Sequence, residues 1–172
     1  MVNPGLIIIL VLVVIAILFL FWIISQQSSN RSGRKLSTNI SSGQEVPSNR
    51  SPATGYGNFE LSEDGKSLKY HIRYQGLTTP IISAHFHSGA PGVNGPITRT
   101  LFDNKQSRII NSHYNFDTTD GRSGSLSGTW SSTDAQPLNS KNLQELLKGN
   151  QYINIHSSRY PDGEIRGQVI KL

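Results

Sequence analysis

The chain has 172 residues, no cysteine and a formal net charge of +5. The absence of cysteine excludes disulfide bridges, thiolate metal ligands and a cysteine nucleophile. Residues 1–30 carry no charged side chain, and residues 31–50 carry a net charge of +3. Residues 51–172 carry a net charge of only +2, so they lack the basic stripe that nucleic-acid binding requires.

An uncharged apolar run from Leu6 to Ile24 dominates the amino-terminal end. As a helix rising about 1.5 Å per residue, this run is roughly 28 Å long, which matches the hydrocarbon core of a bilayer. A cleaved signal peptide is the alternative, but the run is longer than a signal sequence needs and no basic residue precedes it. We therefore predict a transmembrane anchor over residues 1–25, with Trp22 at the lipid–water interface.

Residues 26–35 are predicted to form a polar, basic linker that contains Arg31, Arg34 and Lys35. Basic residues beside a membrane span favour the cytosolic side and are attracted to anionic lipid. We expect a single-pass membrane protein whose domain faces the cytosol and whose first partner is the lipid bilayer.

Residues 36–172 are predicted to form one all-β domain. Apolar residues alternate with polar ones from Leu68 to Tyr74, which is typical of a half-buried strand, and a turn at Asp64-Gly65 joins it to a strand over Tyr56–Leu61 as a hairpin. Ser140 is predicted to begin a short helix. Further strands are predicted at Ile81–His87, Ile97–Phe102, Arg108–Phe116, Ser125–Trp130, Gln151–Ser157 and Glu164–Lys171. Short strands at this spacing predict an antiparallel sandwich or barrel.

Three motifs in this part of the chain carry a family resemblance. They are Gly43-Gln44-Glu45-Val46-Pro47, then Ala84–Gly89 with Gly95-Pro96, and finally Leu147–Ser157 with Gly163–Gln168. In this order they resemble the opening, central and closing motifs of the CHRD domain family, the module named after chordin. The resemblance implies an antiparallel β-sandwich that is immunoglobulin-like or similar to copper/zinc superoxide dismutase. It does not imply growth-factor antagonism, because the Cys-rich modules that bind growth factors in chordin are absent from this chain.

Histidines supply the candidate metal ligands. His85 and His87 are two residues apart on a predicted strand, so both point to one face, and His156 lies on a second strand with the same alternation. Three neutral imidazoles suit copper or zinc, with Glu164 as a group that orients one of the rings. The alternative is a structural polar network, in which Asn154, Glu164 and Arg166 join the histidines and stabilise the strand register.

No pattern in the sequence indicates a catalytic site, so we expect a protein without enzyme activity. No organic cofactor is expected, and copper or zinc are the candidate ions. One functional hypothesis is a membrane-anchored domain with a binding or structural role, which tethers a membrane to a protein assembly such as a viral capsid or coat. The virion membrane would then be its location. The alternative is a metal-binding or redox domain resembling superoxide dismutase.

Overall fold

The computed structural model describes residue 5 and residues 12–22, 33–105 and 114–172. The contacts divide the chain into two compact units, Met1–Ser32 and Gly33–Leu172.

The first unit contains a helix over residues 12–22 (α1), whose large apolar side chains are all exposed. Trp22 is the last residue of this helix that the structure describes, and its ring stacks on Phe19 with the centroids 5.8 Å apart. Within the described ranges, no helix combines the length and the hydrophobicity that crossing a bilayer requires. Most of the predicted anchor, and the predicted linker as far as residue 32 with Arg31, lie outside the described residues.

The second unit is built almost entirely of strands. The predicted hairpin and the predicted short helix are confirmed. The predicted strands are also confirmed, with differences of a few residues at their ends. Residues 108–113, where one predicted strand begins, lie outside the described residues. The elements are β1 Arg34–Ser41, a 3-10 turn at Ser42–Gln44, β2 Thr54–Leu61, β3 Ser67–Gln75, β4 Ile81–Ser88, β5 Ile97–Asp103, β6 Tyr114–Thr118, β7 Gly124–Ser131, α2 Ser140–Leu147, β8 Gln151–Ser157, β9 Ile165–Gln168 and β10 Ile170–Lys171.

Strand β1 was not predicted from the sequence. It begins at Arg34, so Arg34 and Lys35 belong to the sheet rather than to the predicted linker. Its pattern of burial is irregular, because the polar residues Ser37 and Thr38 are buried beside Leu36. Polar residues at buried positions hide the alternation that otherwise reveals a strand.

All strand pairs are antiparallel and follow the order β5-β4-β8-β9-β1-β2-β3-β7-β6, with β10 also paired to β1. The predicted all-β antiparallel class is thus confirmed, but the strands form one continuous sheet rather than two separate ones. The junction between its two halves is the β9–β1 pair, which meets only at Ser41 and Arg166.

The sheet curls until its two edge strands approach each other, which makes it a nearly closed barrel. Phe102 on β5 stacks on Phe116 on β6 with the ring centroids 4.3 Å apart. Arg99, also on β5, forms a salt bridge with Asp134 and donates a hydrogen bond to the Thr129 carbonyl of β7. Ring packing and a buried ion pair therefore close the gap that backbone hydrogen bonds leave open.

The core lies inside this curled sheet. Phe86 on β4 is fully buried, and its ring contacts Phe59, Tyr70 and Trp130 at centroid distances of 5.8, 6.1 and 5.0 Å. Trp130 is a core residue, and its indole N–H donates to the Gln136 carbonyl. Because side chains alternate along a strand, burying Phe86 inside directs the residues before and after it to the outer face of β4.

Candidate metal centre

Two neighbouring strands position the three predicted histidine ligands. Strand β4 pairs with β8 so that His85 lies opposite Asn154, His87 lies opposite Tyr152 and Ser83 lies opposite His156. All three imidazoles are on the outer face, away from the core, yet their exposed fractions are only 9%, 9% and 7%. The loops around the sheet therefore cover this patch of its outer face.

The structure brings the three imidazoles together. The Nδ1 atom of His85 is 3.2 Å from the Nε2 atom of His156. The ring centroid of His85 is 5.1 Å from that of His156 and 5.6 Å from that of His87. One ligand nitrogen from each residue lies within 4.8 Å of the other two. Since a zinc–nitrogen bond is about 2.0–2.1 Å long, small movements of the rings would allow one ion to reach all three nitrogens.

Backbone carbonyls orient two of these rings. The Nδ1 atom of His87 is 2.9 Å from the Gly95 carbonyl oxygen, and the Nδ1 atom of His156 is 2.9 Å from the Pro161 carbonyl oxygen. A carbonyl oxygen can only accept, so each Nδ1 carries the hydrogen and each Nε2 presents a lone pair. Metal-binding histidines are commonly held by this kind of second hydrogen bond.

The Nε2 atom of His87 is buried and has no hydrogen-bond partner among the described residues. His156 carries its hydrogen on Nδ1, so its Nε2 atom can only accept a hydrogen bond. The Nδ1 atom of His85 is therefore the donor in the contact between the two rings. A buried polar atom without a partner costs free energy, and such an atom in a native structure calls for an explanation. An ion bound to His87 would supply the missing partner.

The surroundings keep all three imidazoles neutral. Burial, together with the neighbouring His156 and His87, lowers the pKa of His85 to about 3. Burial also lowers the pKa of His87 and of His156, against the opposing effect of the carbonyls that accept from them. A neutral imidazole is the form that binds a metal ion, so the cluster is ready to bind one near neutral pH.

A stack of side chains lies beside His87. The ring of Tyr152 is parallel to that of His87, with the centroids 4.9 Å apart and an interplanar angle of 11°. The guanidinium carbon of Arg166 is 3.5 Å from the centroid of Tyr152. Arg166 is 1% exposed and donates to the carbonyls of Ala90 and Val93, so it holds the loop after β4 over the site.

Glu45 and Asn154 form a second polar pair on this face. The Asn154 amide nitrogen is 3.4 Å from Oε2 of Glu45, and Gly163 adjoins both side chains so closely that a Cβ there would lie 2.7 and 2.8 Å from their oxygens. Desolvation raises the pKa of Glu45 to about 7, while the charge of Arg166 lowers it. Glu45 was not predicted as a site residue, although it lies in the first of the three motifs.

Glu164 takes no part in the histidine cluster. Its buried carboxylate accepts from the Ser51 hydroxyl at 2.6 Å and from the Thr78 backbone N–H at 2.7 Å. Among the described residues the salt bridges join other side chains, and Glu164 and Arg166 do not form an ion pair with each other. The role of orienting the imidazoles, expected of Glu164, belongs to the two backbone carbonyls.

The model of the CHRD domain family matches residues 36–169. A search of curated proteins gave no match. The matched range contains all three motifs, and the structure brings residues of each one to the same outer face: Glu45 from the first, His85 and His87 from the second, and His156 and Arg166 from the third.

Proposed function

The chain belongs to the CHRD domain family, and we propose that its β domain binds one copper or zinc ion through His85, His87 and His156. The observation that carries this proposal is the buried Nε2 of His87, which has no partner among the described residues and lies beside two further neutral imidazoles. The proposed role is binding, not catalysis.

The chemistry of the donor set supports copper or zinc. Imidazole nitrogens are preferred by these ions, whereas magnesium and calcium require oxygen ligands. Within the parts of the chain that the structure describes, no carboxylate joins the three histidines in one ligand group. A structural polar network is the competing explanation, but it would leave the His87 lone pair unused.

Metal analysis of the purified chain tests the proposal. The full-length protein in detergent is equilibrated with copper or zinc, separated from free ions and analysed by mass spectrometry. We expect about one ion per chain in the wild type, and loss of that ion in His156→Ala. The matched control is His71→Ala, because His71 lies on β3 in the other half of the sheet and contacts Arg73 instead. A wild type without stoichiometric metal would leave the structural network as the function of these residues.

A second proposal concerns the amino-terminal segment. We propose that the predicted anchor holds the domain at a membrane, and that the domain tethers this membrane to a protein assembly such as a viral capsid or coat. The exposed apolar side chains of residues 12–22 support this, because a helix that is apolar on all sides suits lipid. Retention of the chain in membranes after washing at high pH is expected, and release of the wild-type chain would refute the anchor.

A finer assignment of the fold is also a proposal. We propose that the barrel is a variant of the immunoglobulin-like or superoxide-dismutase-like sandwich. Its support is that Phe86 from one half of the sheet packs on Trp130 from the other, as facing layers of a sandwich do.

A further inference from the structure

We infer that the ion suited to this centre is monovalent copper, Cu(I), rather than zinc or divalent copper. This inference depends on the proposed metal site and concerns which ion the site selects. It follows from the charge of the ligand set, from the charges around it and from the number of donors.

The ligand set carries no charge. Its three members are imidazoles, and in the described residues no carboxylate oxygen lies within reach of all of them. Asp103 and Asp162 interact electrostatically with His85 and His156, respectively, but neither belongs to the ligand group. The ligands would therefore neutralise none of the positive charge of a bound ion.

Burial makes a large charge costly at this position. The free energy of transferring an ion out of water grows with the square of its charge, so a divalent ion costs roughly four times as much as a monovalent one. The three ligands are exposed by no more than 9%, which places the ion in a largely desolvated region. A monovalent ion is thus favoured unless negative charge compensates a divalent one.

The neighbouring charges provide little of that compensation, because Asp162 is exposed and Asp103 is partly exposed, so that water and salt screen both carboxylates. Arg166 is buried and its positive charge acts on His87. The charge of Arg166 also acts on the buried carboxylate of Glu45, and these two opposite charges offset each other. No surplus of negative charge is left by this pair to stabilise a dication.

The number of donors points the same way. Zinc in proteins is almost always four-coordinate, so it would require a water molecule in addition to the three imidazoles. Monovalent copper has a filled d shell, accepts three neutral nitrogen donors and needs no fourth ligand. The three ring nitrogens lie within 4.8 Å of one another, so their movement toward one ion would complete a three-coordinate site.

Competition titrations of the full-length chain in detergent test the inference. Copper(I) is titrated anaerobically with ascorbate against a chromophoric copper(I) chelator, and zinc(II) and copper(II) are titrated against chelators of known affinity. We expect one Cu(I) per chain, bound at least about a hundredfold more tightly than zinc, which is a difference of about 2.7 kcal/mol. The X-ray absorption edge of the complex should show three-coordinate Cu(I) with nitrogen ligands.

Two variants assign the result to the site. His87→Ala should lose the ion, and His71→Ala should retain it with unchanged affinity, while circular dichroism verifies that both variants remain folded. Zinc or divalent copper bound as tightly as Cu(I), with the same dependence on His87, would overturn the inference and leave the metal site standing. Failure of the folded wild type to bind any of the three ions would overturn both.

Discussion

Replacing Glu45 by glutamine tests whether the first motif packs over the candidate site as the structure shows. Glutamine has the same shape as glutamate but cannot ionise. In the wild type the side chain is 7% exposed, lies beside Asn154 and interacts with the charge of Arg166. The substitution therefore removes one buried titrating group and leaves the packing almost unchanged.

The expected magnitude follows from the pKa of Glu45, which burial raises from 4.5 to about 7. The folded protein binds this proton more tightly than the unfolded chain does. The contribution of Glu45 to the free energy of unfolding is therefore fully present below pH 4.5 and is lost as the pH rises through 7. Integrating the proton linkage between pH 5 and pH 8 gives a loss of about 2.5 kcal/mol in the wild type. Glu45→Gln should not show this loss, so its free energy of unfolding should rise by about 2.5 kcal/mol relative to wild type over that interval.

Urea unfolding of the unit spanning residues 33–172, with a chelator present, measures this difference at pH 5, 6, 7 and 8. All other titrating groups are common to both proteins, so their contributions cancel in the comparison. Glu60→Gln is the matched control, because Glu60 is exposed on the outer face of β2. A difference between Glu45→Gln and wild type that stays constant within about 0.5 kcal/mol from pH 5 to pH 8 would refute the buried position of the carboxylate.

Two further substitutions probe the core and the loop over the site. Phe86→Ala should destabilise the domain by about 3–5 kcal/mol in urea unfolding, because it leaves a cavity among aromatic rings, and a loss under about 1 kcal/mol would contradict this packing. Gly95→Ala should weaken metal binding at least about tenfold in equilibrium dialysis, because a Cβ would overlap the Ser88 carbonyl and displace the Gly95 carbonyl that orients His87. Unchanged affinity would show that this carbonyl does not position the imidazole.

Alternation along the chain was sufficient to predict most strands and the faces of their residues. His85 and His87 were predicted on one face of their strand, and they lie together on the outer face, while Phe86 between them lies in the core. The strand period is local, so it can be read from neighbouring residues without knowledge of the fold. The same pattern does not reveal β1, where polar residues are buried.

The partners of Glu164 show where sequence reasoning fails. It was expected beside the histidines, yet the carboxylate binds Ser51 and the Thr78 backbone, and Arg166 binds the loop carbonyls of Ala90 and Val93. Hydrogen bonds to backbone groups depend on how loops fold over the sheet. No side-chain pattern encodes those loop paths, so the contacts of Glu164 and Arg166 could not be predicted from their positions in the sequence.

The amino-acid pattern alone established an all-β domain and put two histidines on one strand face, since both properties arise from the geometry of a single strand. Only the tertiary structure decided that β4 pairs with β8, which brings His85 to 3.2 Å from His156 although 71 residues separate them. It likewise decided that Glu45 packs beside Asn154. Such contacts depend on the order of strands in the curled sheet, because residues distant along the chain meet only when the whole core is buried at once.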